Sequence, residues 1–256
     1  MTHHIPQPHE IDPELVLRAY AMGVFPMADH RTADSVYWVE PKLRGVMPLD
    51  GFHLSRSLKK TILSDRFTVT ADKAFGQIVQ LCAESASDRP DTWINGPIER
   101  VFTELHHRGF AHSIEVWEGN RLAGGLYGLA LGRAFFGESM VTRVRDASKV
   151  AFAWLVARLQ AGGFTLLDCQ FQTDHLATLG AVEIARDDYI ALLGGALGET
   201  VAGLATGAPS VDGDFFALEG ASPEDPPEDP LGPAPTETVS GPLSRKVIAQ
   251  LLTHTS

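Results

Sequence analysis

The sequence is short of cysteine and of long apolar runs, and both shortages exclude classes of protein. Its 256 residues contain only Cys82 and Cys169, which are too few for a disulfide framework and lack the spacing of a metal site. No apolar run approaches the roughly 20 residues that cross a bilayer, and the amino terminus lacks the basic-then-apolar order of a signal peptide. We therefore expect a cytoplasmic globular protein with no membrane partner.

The common motifs of nucleotide-binding and hydrolytic enzymes are also missing. The sequence contains no Gly-Lys-Ser/Thr phosphate loop, no Gly-x-Gly-x-x-Gly and no Gly-x-Ser-x-Gly. The glycine-containing loop with which acetyl-CoA-dependent N-acetyltransferases bind pyrophosphate is absent from residues 143–148. These absences predict that no metal and no cofactor is used, and that any acyl donor is not CoA.

Charge is unevenly distributed along the chain. The formal net charge is −11, which argues against a polyanionic partner because Lys and Arg drive phosphate binding. Eight acidic residues and no basic residue lie in 206–244, so most of the excess belongs to one segment. The other basic residues form either an ordinary solvated face or a nucleic-acid contact. They cluster at Lys42 and Arg44, at Arg56, Lys59, Lys60 and Arg66, and at Arg133, Arg143, Arg145 and Lys149.

Residue patterns divide the chain into four parts. Residues 1–65 have the short helices and strands of a small N-terminal α+β domain, and residues 66–205 show a longer and more regular pattern. Residues 206–242 are acidic and proline-rich, which predicts a disordered linker because such a segment cannot bury enough apolar surface to order itself. Residues 243–256 predict a short C-terminal helix that docks elsewhere on the protein.

The order of elements in the second part favours an α+β class. Alternating residues in 111–117 and 121–129 predict a hairpin around the Gly119-Asn120 turn, and a further strand is expected at 133–138. Residues 147–160 are apolar almost all round, which predicts a buried helix before a strand at 164–169. Strands that come in a run before the helix fit an acetyltransferase-like (GNAT-like) domain better than a doubly wound sheet.

Polar groups at the ends of two apolar strands are the first candidates for chemistry. Asp168 and Gln170 are two residues apart, so a strand projects both to one face and Cys169 to the other. The pair could position an incoming amine, or it could only satisfy backbone groups. Glu138 could attract a cation, or it could face water as a strand-end charge. The stretch 133–170 predicts an apolar pocket with polar groups at its mouth.

A series of motifs resembles one known family, in order and over roughly residues 11–195. The motifs are Ala21-Met22-Gly23-Val24-Phe25-Pro26-Met27, Tyr37-Trp38, Phe52-His53 with Ser55-Arg56-Ser57-Leu58, Trp93-Ile94, Gly124-Gly125-Leu126-Tyr127-Gly128, Phe136-Gly137-Glu138-Ser139-Met140, Ala147-Ser148-Lys149, and Asp168-Cys169-Gln170 with His175-Leu176 and Leu179-Gly180-Ala181. They resemble the bacterial leucyl/phenylalanyl-tRNA–protein transferases. The resemblance implies a small amino-terminal domain followed by a domain similar to the CoA-dependent acetyltransferases.

The same resemblance implies an activity and its partners. Leu or Phe, and less readily Met, is expected to move from aminoacyl-tRNA to the N-terminal Lys or Arg of a protein. The product is marked for degradation by the N-end rule. The basic residues expected to contact tRNA phosphates are Lys42, Arg44, Arg56, Lys59 and Lys60.

Roles at the site also follow from the resemblance. Asp168 and Gln170 are expected to orient and activate the attacking amine, and Glu138 to recognise the basic acceptor residue or hold the donor. Trp38 and Trp93 are expected to contact the terminal adenosine or the acceptor peptide. The amino acid side chain is expected to lie in a pocket formed by Leu126, Phe135, Met140, Phe152, Leu155 and Leu167.

Two other kinds of function remain open at this point. One is an enzyme of the same fold with a different donor, either an N-acyltransferase or a peptidyl transferase of cell-wall synthesis. The other is a non-catalytic tRNA-binding protein or degradation adaptor, in which Asp168 and Gln170 are structural. A transfer assay with aminoacyl-tRNA or acetyl-CoA as donor separates these alternatives.

Overall fold

The computed structural model describes residues 10–84, 92–206, 212–219 and 245–253. None of the helices in these ranges combines the length and the hydropathy of a membrane span. The strands are β1 (Phe25–Met27), β2 (Tyr37–Val39), β3 (Leu43–Met47), β4 (Thr68–Ala71), β5 (Ala111–Glu118), β6 (Arg121–Leu131), β7 (Ala134–Thr142), β8 (Leu166–Gln170) and β9 (Val182–Ala185). The helices are α1 (Pro13–Ala21), α2 (Arg56–Leu63), α3 (Phe75–Ala83), α4 (Gly96–His107), α5 (Ala147–Ala161), α6 (Asp174–Ala177), α7 (Arg186–Thr206) and α8 (Arg245–Leu251).

A seven-stranded mixed sheet organises the fold, in the order β4-β5-β6-β7-β8-β3-β9. Strands β4 to β7 form an antiparallel run, whereas β7 and β8 are parallel. The β5–β6 hairpin turns at Gly119, whose φ of +61° suits a residue without Cβ. The predicted hairpin, the strand after it and the α+β class are therefore confirmed.

Strand β3 corrects the expected division of the chain. The sequence pattern predicts it in a separate domain of residues 1–65, but it lies inside the large sheet between β8 and β9. Val46 pairs with Asp168 on one side and with Val182 on the other. A boundary at residue 65 would therefore cut through the sheet. The sequence pattern does not show this, because the hydrogen-bonding partners of a short strand cannot be read from its own residues.

Helix α5 packs against β5, β6 and β7 and is buried on nearly all sides, as its apolar sequence predicts. Among the described residues, the core forms two clusters of apolar side chains. One contains α5 with the buried residues of α2 and α8, and the other contains buried residues of α1, α3, α4 and α7. The parallel strand β8 follows α5, so the end of β8 lies beside β7 where the antiparallel run finishes.

Part of the predicted linker is packed on this body. Within 212–219, Phe215 and Leu218 are buried, and Phe215 stacks on Phe135 with ring centroids 5.7 Å apart. Arg158 Nη1 also donates a 3.0 Å hydrogen bond to the carbonyl oxygen of Phe215. The expectation of disorder is wrong for these residues, because their aromatic and aliphatic side chains supply the apolar surface that the acidic composition lacks. Residues 207–211 and 220–244 lie outside the described part of the chain.

The predicted C-terminal helix is present as α8. Ile248 and Leu252 are buried in the core cluster that contains α5, and α8 contacts both α2 and α5. Arg245 Nη2 donates a 2.9 Å hydrogen bond to the carbonyl oxygen of Phe67, and its other terminal nitrogen pairs with Asp65. Helix α8 therefore packs against the basic helix α2 and helps to hold it on the core.

Candidate active site

A cavity of about 350 Å³ opens where β6, β7, β8, α5 and α6 meet. Its walls are mainly apolar and carry a few polar groups, which is the usual composition of a small-molecule or substrate site. The lining residues are Trp93, Leu126, Tyr127, Gly137, Glu138, Ser139, Met140, Phe152, Leu155, Cys169, Gln170, Phe171, Thr173, His175 and Leu176. Seven residues named from the sequence are among them: Trp93, Leu126, Glu138, Met140, Phe152, Leu155 and Gln170.

Two residues expected in the pocket lie in the core instead. Phe135 and Leu167 are both 0% exposed and face each other as partners on β7 and β8. Phe135 stacks on Phe215 and contacts the edge of Phe164, and it lies so close to Gly128 that a Cβ there would be 2.4 Å from its ring. Because both side chains are fully buried and Phe135 packs against other core rings, neither residue is placed to touch a substrate.

The structure separates the two tryptophans. Trp93 lines the cavity, whereas Trp38 lies on β2 in the small two-stranded sheet, opposite Pro26, and is 37% exposed. The N–H of Ala28 donates a 3.1 Å hydrogen bond to the carbonyl oxygen of Trp93, so the small sheet is joined to the cavity wall. Of the two tryptophans expected to contact the terminal adenosine or the acceptor peptide, Trp93 therefore lines the cavity and Trp38 lies on a neighbouring surface.

Asp168 does not reach the cavity. Its side chain is fully buried, and Arg44 binds it through two nitrogens, with 2.6 Å between Arg44 Nη2 and Asp168 Oδ2. Tyr189 donates a 2.9 Å hydrogen bond to the same oxygen. Donors from β3 and α7 enclose the carboxylate, so the predicted role of Asp168 in orienting and activating the amine would have to act through another group.

Gln170 does reach the cavity, but by a route that strand alternation does not predict. Its φ is +62°, in the left-handed region that few residues other than glycine adopt. The chain therefore leaves the strand at this point, and Cys169 and Gln170 both line the cavity while Asp168 does not. The expectation that Asp168 and Gln170 share one face is wrong for this reason.

Arg44 is a predicted tRNA contact that the structure places in the interior, where it is 1% exposed. Besides Asp168, its guanidinium donates a 3.0 Å hydrogen bond to the carbonyl oxygen of Gly23 and stacks on the rings of Phe25 and Tyr189. Burial opposes its charge, but the hydrogen bonds and negative charge of Asp168 hold the pKa of Arg44 above its usual value. A tRNA phosphate cannot approach this side chain.

Glu138 is the carboxylate that faces the cavity. It is 8% exposed, and its Oε1 accepts a 2.7 Å hydrogen bond from the hydroxyl of Tyr20. Burial raises the pKa of Glu138 to about 8, against the opposing effects of the hydrogen bond from Tyr20 and of the nearby Gln170 amide, although Gln170 Nε2 does not meet the geometry of a hydrogen bond to Glu138. The group is thus poised to gain or lose a proton near neutral pH, and an approaching cation would favour its charged form.

Three polar atoms on the cavity wall have no hydrogen-bond partner within the described residues. They are Glu138 Oε2, Gln170 Nε2 and His175 Nε2, all shielded from solvent. Burial, and next the charge of Lys149, lowers the pKa of His175, which favours a neutral imidazole. Buried polar atoms are normally paired, so these three are suited to a ligand that supplies their partners.

Sequence reasoning missed several residues around the site. Tyr20 and Tyr189 contact its carboxylates, and no local pattern distinguishes them from ordinary core tyrosines. His175 belongs to one of the matching motifs, but the sequence assigns it no role. Cys169 also lines the cavity, but burial and the nearby charge of Asp168 raise the pKa of its thiol, which disfavours a thiolate nucleophile.

A basic surface is present on α2. Ser55 caps this helix by accepting a hydrogen bond from the N–H of Leu58, and Leu58 and Ile62 face the core. Arg56 and Lys60 are exposed and Lys59 is half-buried, as expected for groups that meet a solvated partner. The exposed Lys42 precedes β3, so it is the neighbour of the buried Arg44 and not part of α2.

Comparisons with known proteins agree along the chain. The family model described as leucyl/phenylalanyl-tRNA protein transferase matches residues 46–194, and the model of its N-terminal domain matches residues 9–42. A leucyl/phenylalanyl-tRNA–protein transferase of Rhizorhabdus wittichii is 61% identical, over 96% of this chain and 99% of its own length. The relative of the same name from Novosphingobium aromaticivorans is 48% identical, over 98% of both chains.

A relative of the same name from Zymomonas mobilis is 65% identical over 70% of this chain and 67% of its own length. Among solved structures, the crystal structure of FemX aligns with a TM-score of 0.46 and 12% identity, over 70% of this chain and 68% of that chain. That likeness is too distant to carry an argument. The family models and the relatives that match over nearly their full length show that the chain belongs to the leucyl/phenylalanyl-tRNA–protein transferase family.

Proposed function

We propose that the protein transfers leucine or phenylalanine, and less readily methionine, from aminoacyl-tRNA to the N-terminal Lys or Arg of other proteins. The product enters degradation by the N-end rule. The observation that supports this best is the cavity, whose apolar walls carry unpaired carboxylate and amide atoms from Glu138 and Gln170. The full-length relatives carry the name of the same activity.

The apolar part of the cavity suits the side chain of the donor. Leu126, Met140, Phe152, Leu155 and Leu176 form its walls. Such walls accept leucine, phenylalanine or methionine and reject charged side chains, because burial of an unpaired charge is costly. Each missing or extra methylene is worth only about 1–3 kcal/mol in a pocket of this kind, so graded preference among apolar donors is expected.

The polar part of the cavity suits the reacting groups. Transfer replaces an ester by an amide: the neutral amine nitrogen attacks the carbonyl carbon and loses one proton, the bond from that carbon to the ribose oxygen breaks, and the ribose oxygen takes up a proton and leaves as a hydroxyl. Gln170 Nε2 can donate a hydrogen bond to the carbonyl oxygen as negative charge develops there. Glu138 can bind the cationic acceptor, and no covalent intermediate is required because the ester is already activated.

The tRNA is proposed to lie across the basic helix. Arg56, Lys59, Lys60 and Lys42 are accessible, and within the described ranges none of the four is paired with a carboxylate. Trp93 on the cavity wall and Trp38 on the adjacent small sheet are suited to stack on the terminal adenosine or to contact the acceptor. Phe171, 45% exposed at the cavity, extends this aromatic surface.

An acetyltransferase-like (GNAT-like) class is proposed for the catalytic part. It is supported by the order of elements: an antiparallel run β4 to β7, the buried helix α5, and a parallel strand β8 beside β7. In this arrangement the cavity lies beside the ends of β7 and β8, against Phe152 and Leu155 in the middle of α5, and this is where an acyl donor would be bound.

One assay tests the proposal against its alternatives. The protein is incubated with radiolabelled Leu-tRNA, Phe-tRNA or acetyl-CoA and a protein that begins with Arg, and with the same protein after Nα-acetylation. We expect label transfer from both aminoacyl-tRNAs to the free amino terminus alone. Transfer from acetyl-CoA would indicate a different donor, and tRNA binding without transfer would indicate an adaptor; either result overturns the proposal.

A further inference from the structure

We propose that Arg44 and Tyr189 are positioning residues for aminoacyl transfer, because together they fix Asp168 and so hold the Gln170 amide in the cavity. The inference rests on the proposed function and adds two side chains that touch no substrate. Arg44 comes from β3 and Tyr189 from α7, so the arrangement joins three distant parts of the chain. It assigns Asp168 a structural contribution to catalysis in place of proton transfer.

The first step is that Asp168 has no capacity left for a substrate. Oδ1 accepts hydrogen bonds from Arg44 Nε at 2.9 Å and from the Gln170 N–H at 2.7 Å. Oδ2 accepts from Arg44 Nη2 at 2.6 Å and from the Tyr189 hydroxyl at 2.9 Å. A carboxylate offers about four lone-pair sites, and here all are used inside the protein at 0% exposure.

The second step is that one of these bonds sets the backbone of Gln170. Gln170 has a φ of +62°, and a residue that carries a Cβ keeps this backbone conformation only where its surroundings impose it. The bond from its own N–H to Asp168 Oδ1 is one such constraint. The amide side chain that emerges from this turn lines the cavity with Nε2 unpaired among the described residues.

The third step is that β3 shapes the same turn from the other side. Gly45, next to Arg44, lies so close to the chain after Gln170 that a Cβ would be 2.6 Å from the backbone nitrogen of Gln172 and 2.7 Å from the carbonyl carbon of Phe171. Arg44 therefore places its guanidinium on Asp168 at the point where its neighbour touches the turn. A flexible ammonium could not reproduce the planar two-nitrogen contact.

Tyr189 offers the cleaner test of the two residues. Replacing Arg44 would leave a buried carboxylate without its counter-ion, and such a variant could fail to fold. Tyr189→Phe removes one hydroxyl and leaves the Arg44–Asp168 ion pair intact. The carboxylate then loses one of its four restraints, and the Gln170 turn loses definition.

The expected result is a selective fall in kcat. Small displacements of a reacting group reduce rates by factors of up to about a hundred, and we expect Tyr189→Phe to lower kcat about tenfold or more. KM for Phe-tRNA should change less than about twofold, because Tyr189 is not among the cavity-lining residues. Trp117→Phe is the matched control, since it also removes one aromatic donor, the 2.9 Å bond from Trp117 Nε1 to Thr70 Oγ1, away from the cavity.

The decisive experiment is a double-mutant cycle in single-turnover transfer from Phe-tRNA to an Arg-initiated protein. Wild type, Tyr189→Phe, Gln170→Ala and the double variant are compared with enzyme in excess, so that slow rates are measured. If Tyr189 acts through Gln170, Tyr189→Phe should lower the rate by less than about twofold in the Gln170→Ala background. Equal losses in both backgrounds, or an equal loss in Trp117→Phe, would overturn the positioning role while the wild-type activity stands. An inactive wild type would overturn the proposed function itself.

Discussion

Tyr20 donates a hydrogen bond of 2.7 Å to Glu138 from a position 118 residues earlier in the chain, and it occupies only one of the two carboxylate oxygens. The other oxygen, Oε2, is buried at the cavity without a partner in the described part of the chain. The charged form of such a carboxylate is unfavourable when no cation is bound in the cavity, and it becomes favourable when a cation binds beside it. Glu138 is therefore the group whose protonation and acceptor binding should be linked.

Protonation of Glu138 should be visible in protein stability. Its pKa is about 8 in the folded protein against an ordinary value of 4.5, so between these values the folded state holds a proton that the unfolded state releases. The free energy of unfolding should therefore fall as pH rises through this window, by at most about 1.4 kcal/mol per pH unit. Glu138→Gln should lack this fall. Urea unfolding of both proteins at pH 5, 6.5 and 8 measures the difference, and parallel curves would contradict the prediction.

Acceptor binding should depend on Glu138 more than donor binding does. Glu138→Gln keeps the shape of the side chain and removes its charge, so affinity for an Arg-initiated peptide should fall about tenfold, by analogy with the loss of one charge-assisted hydrogen bond. Affinity for a non-reactive Phe-tRNA analogue should change little. The Nα-acetylated peptide serves as the control, and unchanged affinity for the free peptide would refute the role.

Donor preference should follow the cavity-lining residues and not their neighbours in the core. Met140→Ala enlarges the cavity and should shift the ratio of kcat/KM for Phe-tRNA and Leu-tRNA by a factor of about 10 or more, because it removes more than one methylene from the wall. Phe135→Leu should leave this ratio unchanged and lower stability, because Phe135 packs on Phe164 and Phe215. Competition between the two donors measures the ratio, and a shift caused by Phe135→Leu would contradict the assignment.

Salt should weaken aminoacyl-tRNA binding through the α2 surface. When Arg56, Lys59 and Lys60 are replaced by Ala, the slope of log affinity against log salt should become shallower by about 0.7–0.9 for each phosphate that is no longer neutralised. The control removes the same number of charges by replacing Arg18 on α1, Arg100 on α4 and Arg108 at the end of α4 with Ala, since these arginines are exposed and lie outside α2. Equal slopes for the two triple variants would exclude α2 as the tRNA-binding surface.

The packed part of the acidic segment should contribute to stability. Phe215→Ala should lower the free energy of unfolding by about 3–5 kcal/mol, as for other buried phenylalanines, since Phe215 is 4% exposed and stacks on both Phe135 and His112. Its neighbour Phe216, 37% exposed, is the control, and its replacement by Ala should cost much less. Chemical unfolding of both variants decides the matter; equal losses would mean that the packing of Phe215 is not stabilising.

Local patterns in the sequence predict those parts of the fold that depend on near neighbours. The β5–β6 hairpin follows from alternation around a turn, and the buried helix α5 follows from a continuous apolar surface. The cavity residues on β7, on α5 and at Gln170 are predictable for the same reason, since they lie within about one strand-helix-strand unit. These features need no knowledge of distant partners.

The features that the sequence does not predict depend on residues far apart or on a departure from regular geometry. Arg44 resembles a surface cation, because the 124-residue separation from Asp168 hides the ion pair. Strand alternation assigns Asp168 and Gln170 to one face, and the positive φ of Gln170 breaks that alternation. Composition likewise does not predict the packing of Phe215, because the many acidic residues and prolines of the segment outweigh a few aromatic residues in its average composition.

The place of β3 between β8 and β9 has a consequence for biosynthesis. Ordering a strand against partners more than a hundred residues later costs loop-closure entropy, and such a high contact order makes folding slow. When a nascent chain has emerged only as far as α5, the Asp168 carboxylate that pairs with Arg44 is still inside the ribosome. The Arg44 guanidinium therefore cannot yet be enclosed. The enzyme should thus acquire its active centre after α7 is released, and a partly made copy should not compete with translation for aminoacyl-tRNA.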